Sequence, residues 1–191
     1  MSRLSLATPS WDFPLTRPHL GILLGNADVG AMIWGENSIL KITVGRPDVW
    51  DHNGGVDWGL NQTYAKIRAT LEAKDDAGLG ALFPGGGTMP TIIPIGRVEF
   101  DLGKGVSLRT ATLDLSIGVA TIIAAKGRKE YTIQATINLA DGVLVFSWPK
   151  GLAVVTKSVP SWDSIPKQLE ARSFTAPTRF QGANFGGWVQ T

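Results

Sequence analysis

The feature that most constrains the fold is a change to a two-residue hydrophobic period after residue 91. Alternate residues share a character in 118–124 and again in 130–138. The alternating sets are Val119, Thr121 and Ile123, then Tyr131, Ile133, Ala135 and Ile137. Because successive strand side chains point to opposite faces, this period predicts strands with one buried face. Further strands are predicted at 29–35, 39–44, 97–102, 106–115 and 143–148.

The connections between these segments indicate an antiparallel arrangement. They are short and contain glycine at 103–105, 125–127 and 141–142, as a meander of hairpins requires. The chain has 23 glycines and only 18% charged residues, which favours strands joined by tight turns over a helical bundle. We therefore predict a mainly β fold, a large antiparallel β-sandwich of the supersandwich type, with one or two short helices at 62–74 and 75–82. Asn61 is a plausible N-cap of the first.

The two ends of the chain differ from its centre. Pro9, Pro14 and Pro18 predict that residues 1–20 are an extended lead-in without an α-helix. Residues 21–191 are then assigned to the sandwich domain. The final residues, 184–191, have the pattern of the beginning of a strand. This pattern predicts a domain truncated at its C-terminus.

Charge and composition disfavour several classes of function. The net charge is +2, and the basic residues are scattered apart from Lys126, Arg128 and Lys129, which are expected at a hairpin tip. We expect no nucleic-acid partner, because such a surface needs a denser basic stripe. No apolar run is long enough to span a bilayer, so we expect no membrane partner. No signal peptide is visible, which leaves a cytoplasmic location or a missing leader.

No cofactor or metal is expected. Cysteine is absent, and His19 and His52 are far apart in the sequence. No third potential ligand lies at a spacing typical of a metal site. The glycine-rich segment 24–30 lacks the Gly-Lys-Ser/Thr ending of a phosphate loop, and a predicted strand follows it. We interpret it as a tight turn whose glycines permit a positive φ.

The loop 45–59 carries the candidate binding residues, which are Asp48, Trp50, Asp51, His52 and Asn53. A sugar has apolar ring faces and a rim of hydroxyls, so an aromatic side chain flanked by carboxylates and amides suits it. Paired carboxylates could also hydrolyse a glycoside. The alternative is that Trp50 packs into the core while the acidic residues cap turns and the following helix.

The order of these segments resembles the N-terminal β-sandwich domain of glycoside hydrolases of the family 95 type, the α-L-fucosidase-like enzymes. That family begins the domain with a segment of the form GNGRLGAMVWG, and this chain has LGNADVGAMIWG at 24–35. The family's LNEDTLW corresponds to ITVGRPDVW at 42–50, although the Asn-Glu-Asp trio is not kept. Weaker matches follow in the same order at 67–71, 95–98, 108–115 and 129–132.

The resemblance implies a parent enzyme that hydrolyses O-glycosidic bonds with inversion. In that family the catalytic residues lie on an (α/α)6 barrel that follows the sandwich, so no catalytic residue is assigned to this chain. The implied partners are an oligosaccharide or polysaccharide substrate and the missing helical barrel. Two alternatives stay open: a stand-alone carbohydrate-binding module, and a structural or interaction domain.

Overall fold

The computed structural model describes residues 8–55, 62–83, 89–183 and 185–189. The chain divides into two compact units. The first, called the sandwich unit, comprises Met1–Val49 and Ile93–Thr191; the second, called the insert, comprises Trp50–Ile92. Antiparallel sheets dominate the sandwich unit, so the predicted mainly β sandwich class is confirmed.

The chain contains fourteen described strands and three described α-helices. The strands are β1 (Ser10–Asp12), β2 (Ile22–Gly25), β3 (Gly30–Glu36), β4 (Ile39–Gly45), β5 (Trp50–Asp51), β6 (Thr91–Ile92), β7 (Gly96–Asp101), β8 (Ser107–Asp114), β9 (Val119–Lys126), β10 (Lys129–Ile137), β11 (Leu144–Ser147), β12 (Val155–Pro160), β13 (Thr178–Gln181) and β14 (Gly186–Val189). The α-helices are α1 (Tyr64–Glu72), α2 (Asp76–Leu82) and α3 (Pro166–Glu170).

The first sheet has the order β1-β8-β9-β10-β11 and contains the predicted meander. Strands β8 to β11 follow one another in the chain and pair antiparallel through short turns. On β10, Tyr131, Ile133, Ala135 and Ile137 are all buried, as the two-residue period predicts. The sheet also includes β1, so part of the 1–20 segment pairs with the edge of β8.

The second sheet has the order β12-β7-β4-β3-β2. The β3–β4 hairpin was predicted, and its turn places Asn37 at a φ of 52°. Strand β2 was not predicted, because four residues that include Gly25 are too short to show a period. Strand β7 continues to β8 in the other sheet, so this connection links the two layers.

The core lies between the inner faces of the two sheets. The second sheet contributes Ile22, Ile33, Leu40 and Ile42, and the first contributes Ile122 and Ile133, among others. All six are at most 1% exposed. Burial of one such side chain stabilises the fold by about 1.5–3 kcal/mol.

An aromatic cluster packs at one edge of this core. The ring of Phe100 on β7 meets Phe146 on β11 edge to face, with centroids 5.1 Å apart, and meets Trp148 at 5.4 Å. Phe100 belongs to the second sheet and Phe146 to the first. Aromatic pairs of this geometry stabilise beyond their buried area, so the cluster joins the two layers.

The glycine-rich segment 24–35 forms the β2–β3 hairpin. The Asn26 side-chain oxygen accepts the backbone N–H of Val29 at 2.9 Å and that of Asp28 at 3.2 Å. These bonds hold Ala27 at a φ of 76°. The tight turn is therefore confirmed, but the prediction that its glycines supply the positive φ is wrong, because the Asn26 side chain stabilises it at Ala27.

The insert contains α1, α2 and the short β5–β6 ladder. Thr63 caps α1 by accepting the backbone N–H of Lys66 at 3.3 Å, and Asp75 caps α2 by accepting that of Gly78 at 2.8 Å. Both predicted helices are confirmed. The predicted N-cap, Asn61, lies outside the described residues.

The remaining short elements belong to the sandwich unit. In the described part of the lead-in, Pro18–Leu20 forms one 3-10 turn, which a proline at its first position tolerates. Helix α3 was not predicted, because five residues are too few for a helical period. Near the C-terminus, β13 and β14 form a separate two-stranded ladder.

Replacement of Gly35 by alanine should destabilise the sandwich unit. Gly35 has a φ of 149°, and an added Cβ would overlap the carbonyl group of Ile39. We expect urea denaturation to show a loss of roughly 2–4 kcal/mol in the free energy of unfolding. Gly45→Ala is the matched control, because a Cβ there meets no atom within 4 Å. An equal loss in both variants would contradict the description of Gly35.

Candidate functional site

The five residues predicted to contact carbohydrate divide between the two units. Asp48 belongs to the sandwich unit, whereas Trp50, Asp51, His52 and Asn53 belong to the insert. Residues 56–59 of the same predicted loop lie outside the described residues.

Asp48 forms an ion pair with Arg46. The guanidinium donates through Nε to Oδ1 at 2.9 Å and through Nη2 to Oδ2 at 2.8 Å. The hydrogen bonds from Arg46 lower the pKa of the exposed Asp48 carboxyl below its usual 3.8. Asp48 therefore stays ionised at neutral pH, where it accepts hydrogen bonds and has no proton to donate.

Trp50 is presented at the surface of the insert. It lies on β5, where it pairs with Ile92 on β6, and its side chain is 42% exposed. The proposed alternative of a core tryptophan does not fit this exposure. The ring of His52 lies 6.2 Å from the Trp50 ring, tilted by 36°, so two flat rings flank each other at this surface.

Asp51 stabilises the residues that follow it by accepting hydrogen bonds. Its side chain is buried, at 3% exposure, and Oδ1 accepts both the backbone N–H of Asn53 at 2.9 Å and its Nδ2–H at 2.8 Å. This arrangement fits the alternative in which an acidic residue caps a turn. The two bonds fix the Asn53 backbone and its side-chain amide. Asp51 thus positions Asn53.

A second group of side chains lies on the face of the second sheet that points away from the core. Trp34 on β3 pairs with Lys41 on β4, Lys41 pairs with Glu99 on β7, and Glu99 pairs with Lys157 on β12. The Lys41 ammonium lies 4.7 Å from the Trp34 ring centroid. Opposite charges therefore alternate across the sheet beside one aromatic ring.

A cavity of about 260 Å³ opens on the same face. Its walls are Pro18, Trp34, Thr43, Pro94, Gly96, Arg97, Val159, Pro160, Ser161, Ser164 and Ile165. Sequence reasoning missed this cavity, because its walls come from five separate segments. The only local signal is the alternation of Arg97 and Glu99 on β7, which places two opposite charges on one strand face.

Among the described residues, no three His, Asp or Glu side chains come together in a way that could hold a metal ion. Within the same ranges, no helix has the length and apolar character needed to cross a membrane.

No model of a known protein family matches the chain, and no curated protein matches it.

Removal of the Arg46 guanidinium should raise the pKa of Asp48. In Arg46→Met the Asp48 carboxyl loses its hydrogen bonds and ionic partner, so its pKa should return towards 3.8. In the native chain the pair stabilises the fold above pH 3.8, and the contribution is lost as the pH falls through the lowered pKa. Carboxyl ¹³C NMR titration measures the change.

Asp114 is the internal control of this titration. Ser116 donates to its Oδ1 through Oγ at 2.6 Å and through N at 2.8 Å, and these bonds lower the pKa of Asp114. That pKa should not change in Arg46→Met. A pKa of Asp48 that is the same in both proteins would contradict the assigned cause.

Proposed function

We propose that this chain is the non-catalytic N-terminal sandwich domain of a glycoside hydrolase of the α-L-fucosidase-like type, and that Trp50, His52 and Asn53 contact its carbohydrate. The mainly β fold and the order of the segments that resemble that family support the domain assignment. The motif at 24–35 forms the β2–β3 hairpin, which lies at the edge of the second sheet. The motif is thus a structural element of the sandwich.

The exposure of Trp50 is the observation that carries the proposed contact. A tryptophan left 42% exposed presents apolar area on which the C–H face of a sugar ring can pack. The His52 ring lies 6.2 Å from the Trp50 ring, and Asp51 holds the Asn53 amide in place. A flat apolar surface with fixed polar neighbours is the arrangement that a ring with hydroxyl substituents requires.

The Arg46–Asp48 pair has a different role in this proposal. Each partner satisfies the charge of the other at the surface. The pair holds Asp48 in its ionised form. We therefore infer that the pair stabilises the turn that precedes β5. It is not assigned a proton-transfer step.

Replacement of Trp50 tests the contact. Trp50→Ala should weaken binding of a fucosylated oligosaccharide about tenfold, since loss of one aromatic contact removes about 1.4 kcal/mol. Trp50→Phe should lose less, because part of the ring is kept. Isothermal titration calorimetry on the complete chain measures both.

Tyr64→Ala provides the matched control. Tyr64 is an aromatic residue of the same unit, on α1, and is 78% exposed. Its removal should leave the affinity unchanged. Equal affinity in Trp50→Ala and the native chain would refute the contact, and release of 4-nitrophenol from 4-nitrophenyl α-L-fucoside by the purified chain would refute the non-catalytic assignment.

A stand-alone carbohydrate-binding module is the second candidate, and the same exposure of Trp50 favours it. It predicts a shared platform of Trp50 and Trp58, but Trp58 lies outside the described residues. The affinity separates the two candidates. An independent module should bind the oligosaccharide with a Kd of micromolar order, a binding free energy of about −8 kcal/mol. A domain that contributes a single contact should bind it with a Kd of about 1 mM, about −4 kcal/mol.

A further inference from the structure

The cavity on the outer face of the second sheet is a candidate ligand site. We propose that it binds one neutral aromatic ring system, of benzene to indole size, as a free small molecule. The site lies within the sandwich unit and takes a different class of ligand from the contact proposed for Trp50. Its volume, its apolar walls, its hydrogen-bonded polar groups and its charge balance lead to this assignment.

The volume of the cavity sets the size of the ligand. It is about 260 Å³. An apolar protein cavity of about 150 Å³ is large enough to hold benzene. The additional volume accommodates a second fused ring, as in indole, whereas the pockets that bind drug-sized ligands usually exceed roughly 300 Å³.

Apolar side chains make up most of the wall, and they come from segments far apart in the sequence. They are Pro18, Trp34, Pro94, Val159, Pro160 and Ile165. An apolar ligand and these side chains remove each other's surface from water, which favours binding. A flat aromatic ligand can also pack against the Trp34 ring, and such aromatic pairs stabilise beyond their buried area.

Polar side chains of the wall already have partners within the protein. Trp34 donates through Nε1 to Thr43 Oγ1 at 3.0 Å. Arg97 donates through Nη1 to Ser164 Oγ at 2.9 Å. A ligand that requires hydrogen bonds has to compete with these pairs, whereas an apolar ring leaves them intact. Water also gains few hydrogen bonds at such a wall, so its displacement by an apolar ring is favourable.

The charges at the cavity favour a neutral ligand. Arg97 donates through Nε to Glu99 at 2.6 Å, and the two side chains are 29% and 18% exposed. The carboxylate balances the guanidinium charge. An anion that enters would therefore lose its hydration beside a pair with no net charge, whereas a neutral ring has no such cost.

The frame of the cavity is held by its own hydrogen bonds. The Ser161 hydroxyl, 5% exposed, donates to the carbonyl of Pro94, and the Ser161 N–H donates to the carbonyl of Ile95 at 3.2 Å. The Ile165 N–H donates to Ser161 O at 2.9 Å. These bonds fix the walls at Pro94 and Ile165 relative to each other before a ligand arrives, which lowers the cost of binding.

The Trp34 indole N–H reports on occupancy, because the Trp34 side chain forms part of the wall. The chain has seven tryptophans, so its cross-peak in the spectrum of the ¹⁵N-labelled complete chain is identified by its loss in Trp34→Phe. Unlabelled indole should shift this cross-peak saturably, with a Kd of roughly 0.1–1 mM. Trp50→Ala should show the same Kd, so that failure of this site and failure of the contact proposed for Trp50 are distinguishable.

Three further ligands test the chemical class. Benzamide and sodium benzoate are close to indole in size and to each other in shape, but only benzoate is charged. Benzamide should bind at least about tenfold more tightly than benzoate, because benzoate has to lose the hydration of its charge. Methyl α-L-fucopyranoside, a ring of hydroxyl groups, should leave the Trp34 cross-peak in place at concentrations of indole that saturate the shift.

Ile165→Asn tests the location. It replaces an apolar wall residue by a polar one of similar size, and asparagine suits the N-cap position of α3 that Ile165 occupies. The Kd for indole should rise about tenfold, since an apolar contact is lost. Ile117→Asn is the matched control. Ile117 is 67% exposed in the turn between β8 and β9 of the other sheet, and its replacement should leave the Kd unchanged.

Ser164 provides two more variants at an exposed position of the same wall. Ser164→Trp places a ring at the cavity and should raise the Kd for indole at least about tenfold by competing for the same volume. Ser164→Ala removes only the hydroxyl and should change the Kd less than about twofold, whereas a site that recognises a polar ligand would lose about fivefold.

Three outcomes would overturn the proposal. The first is a Trp34 cross-peak that does not move with indole up to roughly ten times a Kd of 1 mM. The second is a Kd for benzoate, or for the fucopyranoside, that equals or lies below that of the neutral aromatic ligands. The third is an indole Kd that is the same in the native chain, Ile165→Asn and Ser164→Trp, among those variants that give a native-like amide spectrum.

Discussion

The burial of apolar side chains between two five-stranded sheets is the interaction on which the rest of the structure depends. Ile22, Ile33, Leu40 and Ile42 face Ile122 and Ile133 across this interface, all of them at most 1% exposed. Because the inner faces are occupied in this way, every residue of opposite parity on the same strands is directed outward. The outer face of the second sheet, with Trp34 and Arg97, is a direct consequence.

Short backbone connections keep the two layers in register. The Leu102 N–H donates to Ser38 O at 2.9 Å, and the Leu108 N–H donates to Asn37 O at 2.8 Å. The turn between β3 and β4 is thus joined to the residue that follows β7 and to the start of β8. Asn26 Nδ2 approaches Asn138 O at 3.5 Å, near the opposite end of β3. The sheets are thus tied at turns as well as through the core.

The sequence predicts the regular parts of this fold well and the sites poorly. The alternation of Tyr131, Ile133, Ala135 and Ile137 directly reflects burial, so β10 could be predicted from it. The exposure of Trp50 could not, because one aromatic residue in a loop has no period. The bond from Arg97 to Ser164 joins residues 67 positions apart, and no local pattern contains that information.

Saturation-transfer difference NMR tests the central claim, that this chain contacts carbohydrate through Trp50, most directly. The protein should be saturated in the presence of methyl α-L-fucopyranoside and a fucosylated oligosaccharide. We expect strong transfer to the ring C–H protons of the apolar sugar face and weak transfer to the remaining protons. An absence of transfer to both ligands, from a protein that gives a folded spectrum, would contradict it.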